Sequence, residues 1–256
     1  MLEEGKAALA RMQEMLYAQD RWSVLVVFQA MDAAGKDSTI EHVMSGVNPQ
    51  GVQVVSFKQP SSEELDHAFL WRISKAAPER GRIGIFNRSQ YEEVLALKVH
   101  PELLEKQRLP AGDRGPDFWN GRYDDLNAFE RHLDRNGTKV LKFFLHVSKD
   151  EQRRRFLARI DEPAKNWKFA LSDVSERKRW DDYMAAYEKM IRRTSTPHAP
   201  WHVIPADNKW FTRLAVAATV VLAVEALKPE FPEFDESKRA ELDESRRRLL
   251  REERRG

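Results

Sequence analysis

The sequence predicts an α/β fold: a three-layer α/β/α sandwich on a central parallel sheet of about five strands. Three observations predict it. Short apolar runs rich in β-branched residues alternate with helical stretches, as in a parallel sheet with crossover helices. The first run, SVLVVFQ at 23–29, leads directly into a small-residue turn ending in Gly-Lys. Several helix starts carry the Ser/Asp-x-x-Glu spacing of a capping box.

The elements follow in order. The opening segment MLEEGKAALARMQEM is acidic and amphipathic, unlike a secretory leader. SVLVVFQ is apolar on both faces, as a central buried strand must be. Further strands are expected over VQVVSF at 52–57, RIGIFN at 82–87, KVLKFFLHV at 139–147 and WHVIPA at 201–206. Helix starts are expected at Ser61 with Glu64, at Ser148 with Glu151, and at Asp173 with Glu176. The stretches LPAGDRGPD at 109–117 and EPAKNWKFAL at 162–171 read as irregular. One domain is expected over 1–228, followed by a charged helical tail over 229–256.

Composition excludes several classes. With 41% hydrophobic residues the 256-residue chain has enough apolar material for a core. Its net charge of +2 gives no general attraction to polyanions, so an anion site has to come from local clustering. The absence of cysteine rules out disulfides, thiolate catalysis and cysteine-ligated metal. No apolar run approaches the roughly 20 residues that span a bilayer. A cytoplasmic protein, without membrane or nucleic-acid partners, is expected.

The turn after the first run reads Ala30-Met31-Asp32-Ala33-Ala34-Gly35-Lys36-Asp37-Ser38-Thr39-Ile40. A small-residue bend between strand and helix points successive backbone N–H groups at phosphate oxygens, and the helix terminus adds positive potential. Ala33, Ala34, Gly35, Lys36, Asp37 and Ser38 are therefore candidate phosphate-binding residues. Lys36 would bring a mobile positive charge. The match to G-x-x-x-x-G-K-[ST] is imperfect, since Ala30 replaces the first glycine and Asp37 the hydroxyl residue. Ala30 would restrict the loop if its backbone needed positive φ. Asp32 beside a phosphate implies a cation or an orienting role; the alternative is a carboxylate that caps the turn.

The run MDAAGKDSTIEHVMSGVNPQG at 31–51 resembles the phosphate loop of the polyphosphate kinase 2 family, whose loop reads G-x-D-x-x-G-K. The similarity continues through FKQPSSEELDHAFLWR at 57–72, IGIFNRSQYEEVL at 83–95, EPAKNWKFALSD at 162–173, WDDYMAAYEKMI at 180–191 and TSTPHAPWHVIPADNKWFTR at 194–213. The resemblance implies a P-loop kinase-like fold with a helical lid at about 153–194. It implies phosphoryl transfer from inorganic polyphosphate to AMP or ADP, giving ATP from the latter, with magnesium or manganese, in a homodimer or homotetramer. The family's F-D-R-S-W-Y segment is Phe86-Asn87-Arg88-Ser89-Gln90-Tyr91 here, followed by Glu92, which looks like the class III subgroup acting on both mono- and diphosphates. Asn87 and Glu92 then join Asp32 as candidate metal ligands, and Arg88 is placed to fork a phosphate. Glu92 also stands at capping distance from Ser89. Gln90 departs from the subgroup's more usual His.

A phosphate polymer carries about one charge per phosphate and has to be held by rows of cations. Arg155 and Arg159 share a face of one expected helix. Lys165 and Lys168 follow, and Lys58 and Arg72 match the family segment. Arg154 and Arg177 are expected at the surface, and Trp167, Trp180, Trp201 and Trp210 in packing. Two rivals share these features: a nucleoside monophosphate kinase that uses ATP, and a non-catalytic polyanion- or nucleotide-binding module.

Overall fold

The computed structural model describes residues 2–252. Its helices and strands run α1 (Leu2–Gln19), β1 (Ser23–Ala30), α2 (Lys36–Val43), β2 (Val52–Val55), α3 (Ser62–Leu65), α4 (Trp71–Lys75), β3 (Ile83–Asn87) and α5 (Ala96–Val99). They continue with α6 (Pro116–Arg135), β4 (Thr138–His146), α7 (Lys149–Asp161), α8 (Leu171–Arg177), α9 (Trp180–Thr194), β5 (Trp201–Pro205), α10 (Lys209–Glu225) and α11 (Glu236–Glu252).

The five strands form one sheet in the order β2-β3-β1-β4-β5, and every pair is parallel. All eight residues of β1 are buried, which is why its sequence shows no alternation. Helices α1, α2 and α10 cover one face, and α5, α6 and α9 the other. This is the expected three-layer sandwich. The chain leaves β1 in one direction toward β2 and β3, then crosses β1 to build β4 and β5. That reversal opens a crevice at the carboxyl ends of β1, β3 and β4, where open α/β sheets place ligands.

Local boundaries differ where tertiary contacts outweigh the pattern. The second strand stops at Val55, because β2 is an edge strand held only by β3. Ser61 and Glu64 close a true capping box. Ser148 caps Glu151 N–H, but the Glu151 carboxylate goes to Arg155 instead (2.7 Å). Asp173 is not an N-cap: α8 begins at Leu171, and Asp173 is its third residue, reaching back to Ala170 N–H (3.3 Å). The irregular stretch after α7 contains a 3-10 turn, Pro163–Lys168. Trp180 and Trp201 are buried, as packing requires. Trp167 and Trp210 are not: they stand 78% and 67% exposed, in the 3-10 turn after α7 and on the outer face of α10. Among the described residues no helix is long and apolar enough to cross a membrane.

Candidate active site

The loop after β1 is built by two left-handed residues. Gly35 has φ 100°, open to glycine without strain, and Ala33 has φ 61°, which a Cβ residue adopts at a cost. The strain anticipated at Ala30 is absent, because Ala30 is a regular β1 residue; it falls at Ala33 instead. Lys36 opens α2, and its Nζ donates to Ala30 O (3.1 Å). Burial pulls the Lys36 ammonium below its ordinary value, against the opposing pull of Asp32. The Ser38 hydroxyl donates to Gly35 O (3.1 Å).

The end of β3 faces this loop. Asn87 closes the strand, and Arg88 follows with φ 70°, a strained conformation for an arginine and a mark of functional sites. Arg88 Nη2 lies 3.3 Å from Asp32 Oδ1. Burial alone would lower the Arg88 guanidinium, but Glu92 and Asp32 together hold it above its usual value. The Asn87 amide N–H donates to Asp37, tying strand end to loop and leaving the amide oxygen unspent. Glu92 does not cap a helix through its side chain. It lies in the floor beside Gln29, whose amide donates to Glu92 Oε1 (3.2 Å) and accepts from Ser89. Burial pushes the Glu92 carboxyl up, while Arg88 and Lys36 oppose the shift.

Asp32 and Glu92 supply hard carboxylate oxygens, and Asn87 a neutral one. Among the described residues no group of three or more His, Cys, Asp or Glu is arranged to hold a metal ion by itself. Oxygen donors of this kind are the type that a divalent ion such as magnesium takes, water and phosphate oxygens completing its shell.

A cleft of about 530 Å³ opens from Met31, Asp32, Arg88 and Glu92. Phe57, Lys58 and Arg72 line one wall, and Asp173, Glu176, Tyr183 and Tyr187 from α8 and α9 line another. Lys58 is exposed at the cleft, while Arg72 is tucked inward and donates to Lys58 O (2.9 Å). Arg155 and Arg159 do share a face of α7, but neither opens on this cleft. Arg155 reaches the back of the loop, and Arg159 lies 3.8 Å from Asp173. Lys165 pairs with Glu162, and Lys168 sits over the Trp167 ring, both exposed in the turn between α7 and α8. Arg154 is at the surface, 74% exposed. Arg177 is not: it is half-buried and donates to Lys149 O (2.6 Å) and Gln152 Oε1 (2.9 Å). Sequence reading missed Gln29, Gln152, Tyr183 and Tyr187. A polar residue inside the first apolar run, and tyrosines four apart on α9, were the available signals.

The family model Polyphosphate kinase 2 matches residues 1–232. The chain is 55% identical over 235 residues to the ADP-polyphosphate phosphotransferase of Rhodopseudomonas palustris, covering 91% of this chain and 81% of that protein. It is 47% identical over 225 residues to the AMP/ADP-polyphosphate phosphotransferase of Meiothermus ruber, covering 88% and 80%. The crystal structure of Polyphosphate Kinase 2 from Arthrobacter aurescens superposes with TM-score 0.86 at 42% identity, covering 95% of this chain and 84% of that one. With the family model spanning residues 1–232 and relatives 55% and 47% identical over most of both chains, the chain belongs to the polyphosphate kinase 2 family.

Proposed function

We propose that this chain transfers a phosphoryl group from inorganic polyphosphate to AMP or ADP, reversibly. One observation carries the reading: Met31 and Asp32, which lead into the loop, line a single cleft with Arg88 and Glu92, and that cleft is large enough for a nucleotide. A terminal phosphate oxygen of the acceptor attacks a polyphosphate phosphorus. One phosphoanhydride bond forms, another breaks, and the shortened chain leaves. The loop amides and Lys36 bind the transferring group, and Arg88 and Asp32 align the acceptor phosphate. Such a reaction asks the protein for position and charge rather than covalent chemistry. Magnesium or manganese, held by Asp32 and Glu92 with Asn87, would neutralise the phosphate oxygens being exchanged. Tyr183, Tyr187 and Phe57 offer the acceptor aromatic surface. The exposed Lys58, Lys165 and Lys168 draw in the polymer. The homo-oligomer that the resemblance implies belongs to the same reading, and light scattering of the purified chain tests it.

The deciding assay supplies AMP or ADP and magnesium with either polyphosphate or a nucleoside triphosphate as donor. Product from polyphosphate alone is expected. Transfer from the triphosphate only, or tight polyphosphate binding without turnover, would overturn the proposal.

A further inference from the structure

A loop that turns its N–H groups inward turns its carbonyls outward, and buried carbonyls need donors. Here the donors come from one helix. Gln152 Nε2 donates to Asp32 O (3.0 Å), and Arg155 Nη1 donates to Ala33 O (3.0 Å) and Ala34 O (2.7 Å). Three successive loop carbonyls are thus held by two α7 side chains one turn apart. We propose that Gln152 and Arg155 are positioning residues: a carbonyl clamp through which the base of the lid keeps the phosphate loop in its amide-inward shape.

The bonding of Arg155 supports a clamp over a phosphate ligand. Its Nε donates to Glu151 Oε1 (2.7 Å), and its Nη2 to Ala206 O (2.6 Å) and Asp207 O (3.1 Å). With the two loop carbonyls, all five guanidinium N–H groups are spent on protein. A Cβ on Gly35 would lie 3.6 Å from Nη1, so the guanidinium stands in contact distance of the loop at Gly35. Gln152 is 1% exposed, and Arg177 of α8 donates to its Oε1 (2.9 Å), which turns the amide N–H toward Asp32 O. The clamp therefore links the β1–α2 loop, the β5–α10 connection, α7 and α8. It also stabilises the left-handed turn at Ala33, which has no glycine to ease it.

The inference rests on the proposed activity, and the test separates the two. Arg155→Ala, Arg155→Lys and Gln152→Met are assayed for transfer from polyphosphate to ADP across a salt series. Hydrogen exchange of the loop amides is followed in parallel. Lysine keeps the charge but cannot serve five directed bonds. Both Arg155 variants are therefore expected to lose about 100-fold in kcat. Their loop amides should exchange several-fold faster than wild type, with β1 unchanged. The slope of log KM for polyphosphate against log salt should stay constant. Near wild-type turnover in Arg155→Lys would overturn the clamp, as would unchanged loop exchange. So would a slope reduced by about 0.7, the mark of one lost phosphate contact. If the arginine variants do not fold, Gln152→Met carries the test. A loss of about 5-fold in kcat with faster loop exchange supports the clamp, and wild-type values refute it. A wild-type enzyme that transfers nothing from polyphosphate would sink the activity reading, and the exchange data alone would then decide the clamp.

Discussion

Two clusters of charge lie back to back in this molecule and behave in opposite ways. Under the sheet, Lys142 Nζ contacts Glu130 Oε2 (2.6 Å), Tyr91 OH (2.9 Å) and Thr194 O (2.6 Å), while Tyr91 OH donates to Glu130 Oε1 (2.6 Å). The Lys142 and Glu130 side chains are 0% exposed. At the cleft, Asp32, Arg88 and Glu92 line the wall, with Arg88 and Asp32 at 3.3 Å and Lys36 electrostatically coupled to them from behind. The 3-10 turn Gln90–Glu93 divides the two: Tyr91 joins the sealed network, and its neighbour Glu92 faces the cleft. Burial pushes Glu130 and Glu92 up and Lys142 and Lys36 down in both places, each opposed by its partners. The difference is satisfaction. The buried pair uses its charges on itself and fixes β4 to α6 and α9. The cleft's charges remain loosely paired, with no closed network like that of Lys142, Glu130 and Tyr91.

The contrast can be broken by exchanging the outcomes of matched substitutions. Lys36→Ala and Asp32→Asn should each lower kcat by about 1,000-fold, as removal of a preorganised charge does at a reacting centre. Urea unfolding should barely change. Lys142→Met should do the reverse. It leaves Glu130 unpaired and costs about 3–5 kcal/mol of stability in urea titration, with transfer per folded molecule nearly intact. Equal stability losses at Lys36 and Lys142 would erase the distinction.

Glu92→Gln sharpens it, because the side chain belongs to the cleft yet feels burial. Activity should fall by about 10–100-fold at pH 7. Stability moves the other way. The folded carboxyl lies above its ordinary value, so the fold favours the protonated form. That contribution is complete below the unfolded value and is lost as pH rises through the folded one. The variant should therefore melt higher than wild type at neutral pH. The gain should fade as pH falls through the raised value and be gone below about 4.5. A lower melting temperature at pH 7 would contradict it. The smallest effect is expected from Lys165→Ala with Lys168→Ala: a KM for polyphosphate raised about twofold, a shallower salt dependence and an unchanged kcat.

Much of this arrangement was legible in the sequence because it is local. The five strands declared themselves by apolar β-branched runs, and the loop by its place between SVLVVFQ and a helix. Gly35 and Lys36 sit where that pattern put them. Arg88 and Glu92 were reachable through the end of the third run. The sequence left open what depends on distant partners. Lys142 sits in an apolar strand with nothing nearby to announce Glu130 or Thr194. Arg155 and Gln152 read as part of a charged helix, and Asp173 as a cap. Each role is set by a residue at least twelve places away, or by a helix beginning three residues early.

Composition and periodicity alone determined the alternating elements, the phosphate loop and its cation, because backbone preference and burial act over a few neighbours. Tertiary structure decided which charges seal one another, which face the cleft, and that two α7 side chains grip the loop's outward carbonyls. Those outcomes depend on desolvation and hydrogen-bond geometry between segments that meet only when the sheet has formed.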